Sequence, residues 1–182
     1  VTYINLKSLL TIKNLSIDFV SESGTTSAIK NISLSVNRSE IFAIVGESGS
    51  GKSVTALSIL QLLSKTAKFK SGEIIFSEDG TNEIDLVRLS NKDLQKIRGN
   101  KIAMIFQEPM TALNPVFTVG NQIAEVLTAH QDISNKHAID QAVELLRSVG
   151  IPAPEKRVHE YPHQLSGGMR QRVMIAIAIA CK

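Results

Sequence analysis

The sequence has 182 residues, 43% of them hydrophobic and 20% charged, which is enough to bury the core of one domain and excludes a disordered chain. Its 20 basic and 17 acidic residues include no block of one sign, so composition gives no reason to expect a nucleic-acid partner. The single cysteine cannot form an internal disulfide, which favours a reducing, cytosolic setting. The longest apolar run, residues 173–181, is about half of the ~20 residues that span a bilayer.

The first predicted elements are two antiparallel strands followed by a buried one. Apolar and polar residues alternate over 15–19 and again over 32–36, on either side of the turn-rich stretch "SESGTTS". The run "EIFAIV", residues 40–45, is apolar almost throughout, which predicts a strand buried on both faces of a mostly parallel sheet. The apolar positions over 54–63 then predict a largely buried helix.

The next elements repeat this alternation. "SGEIIF" and "NEIDLV" flank the turn signal Asp79-Gly80 and predict a second antiparallel pair. Ser90, with Asp93 three residues later, predicts the start of a short helix that runs through Ile97. The run "KIAMIF", residues 101–106, predicts another buried strand.

Helical patterns dominate from about residue 108 to residue 162. Thr118 and Ser134 are predicted N-caps of two amphipathic helices, and Gly150 is the predicted stop of the second. A proline-punctuated link then leads to the apolar helix that follows "LSGG" near the end of the chain.

The glycine-rich stretch "GESGSGKS", residues 46–53, fits the P-loop pattern and lies between a predicted buried strand and a predicted helix. Its glycines allow backbone N–H groups to turn inward around phosphate oxygens, at a helix N-terminus that carries partial positive charge. Lys52 is expected to reach the β- and γ-phosphates, and Ser53 to place its hydroxyl on Mg²⁺. The alternative is a Gly/Ser turn followed by an ordinary surface lysine. The predicted nucleotide-binding residues of this loop are Gly46, Glu47, Ser48, Gly49, Ser50, Gly51, Lys52, Ser53 and Val54.

Three motifs in order, "GESGSGKS", "IFQEPMTALNP" and "LSGGMRQR", resemble those of ABC transporter ATP-binding subunits, over essentially the whole chain. The sequence around these motifs is similar to that of the oligopeptide, dipeptide and nickel import subfamily. The resemblance implies an α/β fold: a P-loop NTPase core of ABC type, with a mostly parallel sheet and an antiparallel β-subdomain, plus an inserted helical lobe. It implies one domain over 1–182, incomplete at its C-terminus, with a nucleotide-binding core at 1–108 and 163–182 and the lobe at 109–162.

The resemblance also implies roles for residues outside the P-loop. Gln107 is expected to contact Mg²⁺ or hold the attacking water, which makes it a catalytic candidate together with Lys52; the alternative is a solvent-exposed polar residue. The residues "SGG", Ser166, Gly167 and Gly168, start a helix without bulky side chains and are expected to contact the γ-phosphate of ATP bound by a partner subunit. Phe19 is the candidate for stacking on adenine, with core packing as an equal alternative and Tyr3 as a weaker candidate.

The implied partners are a second ATP-binding subunit, arranged head-to-tail, and transmembrane permease subunits that dock on the helical lobe. An extracytoplasmic substrate-binding protein would act indirectly. The chain itself is expected at the cytoplasmic face of the inner membrane, as a peripheral subunit. The implied function is ATP-driven import of peptide or nickel, with ATP and Mg²⁺ as cofactors and no nucleic acid. A non-hydrolysing ATP-binding module and a soluble ATPase that acts on nucleic acid are the alternatives.

The sequence departs from the family pattern mainly by absence. Residues 1–182 contain no counterpart of the Asp, Glu and His that follow the signature helix in the family. By resemblance the Glu is the general base, so we expect these 182 residues alone to be inactive in hydrolysis. We also expect uncovered apolar surface and poor solubility. Val54 and Met169, where many relatives have Thr and Gln, leave nucleotide binding intact.

Overall fold

The computed structural model describes residues 8–22, 24–107 and 112–181. These residues form two compact units, with the boundary between Leu94 and Gln95. Tyr3, the weaker adenine candidate, lies outside the described residues.

The first unit is built on an antiparallel sheet. Strands β1 (Leu10–Ser21), β2 (Gly24–Val36), β3 (Ala67–Phe76) and β4 (Ile84–Asp85) lie in the order β2-β1-β3-β4. The predicted pairing of the first two strands is confirmed, and β1 also pairs with β3. Of the predicted strand "NEIDLV", only β4 forms, because a 3₁₀ helix follows it directly at Leu86–Arg88.

One face of this sheet forms a core. Leu15 and Ile17 of β1 are fully buried, as is Ile74 of β3. Ile12 is also buried, although strict alternation from Leu15 would point it to the other face. The pairing register shifts between Ile12 and Leu15, where Asn14 has a φ of 48°, and this bulge returns both side chains to the same face.

The first unit also contains two helices, and the second of them extends past the boundary at Leu94. The predicted helix after the glycine-rich stretch forms as α1 (Lys52–Ile59), but it is shorter than predicted. Its buried residues are Thr55 and Ser58, while its apolar residues are only half-buried, so the prediction that it is largely buried is wrong. Helix α2 (Asn91–Ile97) begins where predicted: the Asp93 N–H donates to Ser90 Oγ at 3.2 Å, and that hydroxyl bonds the Asp93 carboxylate at 2.7 Å.

The second unit is helical in the described residues. Its helices are α3 (Val119–His130), α4 (Asn135–Ser148), α5 (Pro154–Arg157) and α6 (Gly167–Ile179), with a 3₁₀ turn at Pro162–Gln164. Three of them pack around a common core that includes Ile123, Leu146 and Val173. Thr118 and Ser134 cap α3 and α4 as predicted, each accepting from the N–H three residues on. Gly150 follows α4 with a φ of 74°, as expected of a stop.

The two predicted buried strands do not form among the described residues. Residues 40–45 and 103–106 have no strand structure, and residue 102 takes part only in an isolated bridge with Arg98. Ile41 is 99% exposed and Val45 is 88% exposed, while Ile105 is half exposed. A strand requires a neighbour to accept and donate its backbone hydrogen bonds, and β1 to β4 provide none to these segments.

Candidate nucleotide site

The glycine-rich loop lies in the first unit, immediately before α1. Gly49 has a φ of 80° and Gly51 has a φ of 91°, a backbone region that favours glycine. A Cβ atom added to Gly51 would lie 2.9 Å from the Ala28 carbonyl oxygen of β2. Gly51 is therefore required both by its backbone angle and by the close approach of the loop to β2.

The Lys52 ammonium is held within this loop. Its Nζ donates to the Gly46 carbonyl at 2.7 Å, to the Glu47 carbonyl at 2.6 Å and to Ser50 Oγ at 3.3 Å. The lysine side chain thus curls back over the residues that precede it instead of extending into solvent. This arrangement places a positive charge inside the loop and beside the first turn of α1.

These features fit a phosphate group. Gly51 is the N-cap of α1 and brings no side chain to the helix start. The first N–H groups of a helix have no partner within it, so those at Lys52 and Ser53 are suited to oxyanions. Ser53 is exposed, and Val54 follows it in the same turn. Glu47, Ser48 and Ser50 are exposed as well, so a ligand can reach the loop from solvent.

Phe19, the predicted adenine contact, is half-buried on β1. It lies opposite Thr26 of β2 and Ala67 of β3. Thr26 is two residues from Ala28, which the loop approaches at Gly51. The strand partner of Phe19 is therefore two residues from the point where the loop approaches β2. Phe19 is less buried than Ile17, two residues earlier on the same strand. Partial exposure is compatible both with stacking and with packing at the edge of the core.

Gln107 lies in the second unit. It is exposed, in a bend after residues 103–106. The expectation that it would emerge from the end of a buried sheet strand is wrong for the described residues, because that strand does not form. An amide in this position remains accessible to a ligand.

Ser166, Gly167 and Gly168 form the start of α6. Ser166 is the N-cap, and its Oγ accepts from the Met169 N–H at 3.3 Å. A Cβ atom added to Gly167 or Gly168 would meet nothing within 4 Å. Packing within this chain therefore does not require glycine at either position. Their missing side chains instead leave the N-terminus of a 13-residue helix open to approach from outside.

Arg172 orients α6 and was not identified from the sequence. Its Nη1 donates to the Val149 carbonyl at 3.2 Å and to the Gly150 carbonyl at 2.8 Å, just beyond the end of α4. A cation at this end of a helix is favourable because the macrodipole is negative there. A single arginine in "MRQR" forms no periodic pattern, so the sequence does not indicate which groups it contacts. The two carbonyl groups that accept from it are identified only by the packing of α6 against α4.

No helix among residues 8–22, 24–107 and 112–181 is long and apolar enough to cross a membrane.

Comparison with known proteins gives a consistent result. The family described as "ABC transporter" matches residues 29–182. A probable peptide ABC transporter ATP-binding protein, y4tR of Sinorhizobium fredii, is 52% identical over 174 residues, covering 95% of this chain and 50% of that protein. The oligopeptide transport ATP-binding protein OppD of Bacillus subtilis is 51% identical over 178 residues, covering 97% of this chain and 48% of OppD. The chain spans about half the length of these curated relatives.

Solved structures support the same assignment. The dimeric ATP-binding cassette MJ0796, bound to ADP and Pi, matches with a TM-score of 0.79 and 30% identity, covering 94% of this chain and 69% of the cassette. This match confirms the predicted α/β fold class, including the P-loop NTPase core. On the family match and this structural similarity, the chain belongs to the ABC transporter family and has the fold of its ATP-binding cassettes.

Proposed function

We propose that this chain is the ATP-binding part of a subunit that energises peptide import by an ABC transporter, with nickel as the alternative cargo. The observation that carries the proposal is the Lys52 ammonium, held by the Gly46 and Glu47 carbonyls at the N-terminus of α1. Peptide as the cargo rests on the names of the relatives y4tR and OppD.

In this proposal the loop 46–53 binds the phosphates of ATP. Lys52 binds the β- and γ-phosphates, and the loop N–H groups up to Val54 surround them. Ser53 and Gln107 hold Mg²⁺ through a hydroxyl and an amide oxygen, and Gln107 positions water. When bound, ATP supplies the phosphoryl group and Mg²⁺ neutralises its charge. Phe19 stacks on the adenine ring.

The signature residues serve a second subunit. Ser166, Gly167 and Gly168 contact the nucleotide bound in the P-loop of a partner, so that two subunits associate head-to-tail. The dimeric state of the MJ0796 cassette supports this arrangement. Residues 1–108 and 163–182 form the nucleotide-binding core, and the lobe at 109–162 docks on the transmembrane permease subunits.

The permease in turn engages an extracytoplasmic substrate-binding protein. This subunit docks on the permease from the other side, as a peripheral component at the cytoplasmic face of the inner membrane. Nucleic acid has no part in the proposed function. In this proposal, hydrolysis of the bound ATP energises import. Residues 1–182 alone, which lack the family's general-base glutamate, are expected to bind ATP with little turnover.

Replacing the loop lysine tests the phosphate site. Lys52→Ala removes the ammonium and should weaken Mg-ATP binding about 10- to 100-fold, since hydrogen bonds to charged groups contribute about 1.5–3 kcal/mol. The measurement is a titration with a fluorescent ATP analogue in the presence of Mg²⁺.

Lys65→Ala is the matched control, because Lys65 is an exposed lysine outside the loop. Its affinity should equal that of the unmodified protein. Unchanged affinity in Lys52→Ala, with the thermal melt preserved, would contradict the assignment of the loop as a phosphate site.

A further inference from the structure

A cavity of about 290 Å³ lies on the sheet of the first unit, away from the glycine-rich loop. Thr11 lies opposite Ser35 on β2 and opposite Ile75 on β3, so these side chains share one face of the sheet. The adjacent residues Ile12 and Ile74 point to the other face and are buried in the core. The cavity lining is Ser8, Thr11, Lys13, Ser35, Ile75, Ser77 and Glu83.

Hydroxyl groups cross the floor of this cavity. Ser8 Oγ is 2.6 Å from Thr11 Oγ1, which is 3.4 Å from Ser35 Oγ. These contacts place the hydroxyl groups of Ser8, which precedes β1, of Thr11 on β1 and of Ser35 on β2 in a continuous row. Such a row can donate to and accept from the amide group of a ligand.

Ser77 is the unusual member of this lining. The residue is only 2% exposed, and its Oγ has no hydrogen-bond partner among the residues that the structure describes. Its main chain is held in place, because its N–H donates to the Leu9 carbonyl at 2.9 Å and its own carbonyl accepts from Arg38 at 3.3 Å. A buried hydroxyl without a hydrogen-bond partner raises the free energy of the folded protein. Rotation of the Ser77 side chain could bring the hydroxyl to a polar ligand atom in the cavity, and the resulting hydrogen bond would remove this cost.

Charges of opposite sign lie at different ends of the cavity. Lys13 lies opposite Glu73 on β3, and Glu73 forms an ion pair with Arg88 at 3.5 Å. Glu83 precedes β4, which pairs with the other end of β3. Ser77, just beyond the end of β3, lies four positions after Glu73, about 13 Å farther along the strand direction. The two charges of the lining are therefore spaced along the cavity instead of meeting in its centre.

We propose that this cavity binds a short zwitterionic peptide. Lys13 faces the C-terminal carboxylate, and the hydroxyl row with Ser77 contacts the peptide amide. Glu83, which also has an interaction within the chain, adds negative charge at the end that receives the N-terminal ammonium. The volume is that of about ten water molecules, which suits a dipeptide. The choice of a peptide over another zwitterion rests on the proposed function, in which short peptides reach this side of the membrane.

The test is an NMR titration of the ¹⁵N-labelled protein with alanylalanine in the absence of nucleotide. We expect saturable shifts of the Thr11 and Ser77 amide signals. Lys13→Met should weaken binding about tenfold, as expected for loss of a charge-assisted hydrogen bond. Lys30→Met, which changes an exposed lysine of β2 outside the cavity, should leave the affinity unchanged.

Ser77→Ala separates binding from folding. This variant should bind alanylalanine about fivefold more weakly, the typical effect of one hydrogen bond. Its melting temperature should not fall, because the hydroxyl makes no bond within the described residues.

Absence of saturable shifts would overturn the proposal. Equal affinity for alanylalanine and for its N-acetylated, C-amidated form would also overturn it, because the charged ends would then play no part. Since no nucleotide is present, a negative peptide titration leaves the Lys52 measurement unaffected. Conversely, loss of the ATP site would not abolish the peptide-induced shifts.

Discussion

Gly51 and Gly167 show two different physical reasons for glycine beside a candidate phosphate site. At Gly51 the left-handed backbone and the Ala28 carbonyl exclude any side chain, so the fold itself requires glycine. At Gly167 the space beyond the Cα atom is empty. The sequence patterns predicted a phosphate-binding role for both glycines. Only the structure distinguishes the glycine that packing requires from the one that leaves room for a ligand.

Asp79 illustrates how a turn residue gives a pH-dependent contribution to stability. Its Oδ1 accepts from the N–H groups of Asn82 and Thr81, both at 2.8 Å. These bonds, that from Asn82 above all, hold the pKa of the carboxyl group well below its usual 3.8. Because the pKa is depressed in the folded state, the stabilisation is complete above pH 3.8 and is lost as the pH falls towards the folded-state pKa.

Asp79→Ala should therefore be less stable than the unmodified protein near neutral pH, and the difference should shrink as the pH falls below 3.8. The measurement is urea unfolding over a series of pH values. Asp140→Ala, at an exposed position of α4, provides the control. A stability difference for Asp79→Ala that stays constant across the whole pH range would contradict this account.

At the scale of elements, the predictions that succeeded depend on local chemistry. The caps at Ser90, Thr118 and Ser134 need only a side-chain oxygen and an N–H three residues on, and all three form. The strands over 40–45 and 101–106 failed because apolar content identifies a segment that would be buried, while strand structure depends on a distant neighbour. The bulge at Asn14 was missed for a similar reason, since its register is set by pairing with β2 and β3.

Comparison of the N-caps of α4 and α6 distinguishes the structural role of a serine from a role in binding. Ser134 and Ser166 cap helices of similar length, each by accepting one N–H bond at 3.3 Å. Ser134→Ala and Ser166→Ala should both lower the free energy of unfolding by about 1 kcal/mol. Only Ser166→Ala should also weaken nucleotide-induced dimerisation, measured by analytical ultracentrifugation with Mg-ATP. Equal dimerisation in the two variants would mean that Ser166 is a cap and nothing more.

Across the molecule, two exposed apolar segments lie directly before candidate site residues in the sequence. Residues 41–45 lead directly into the glycine-rich loop, and residues 105–106 lead directly into Gln107. The family match and the structural neighbours confirm the fold class, although the described sheet is wholly antiparallel. The motifs made the fold predictable because they identify a family. The pattern of burial was less predictable because it depends on which surfaces meet.

Exposure of residues 41–45 predicts self-association of the protein in solution. Ile41 and Val45 present apolar side chains on a backbone segment that no strand among the described residues pairs with, a combination that favours contact with another chain. Ile41→Lys should reduce the associated fraction measured by light scattering, because it removes apolar surface and adds a charge. Thr25→Lys adds the same charge at an exposed position of β2 and should have little effect. If both variants reduce association equally, net charge controls it, and the exposed apolar segment is not its cause.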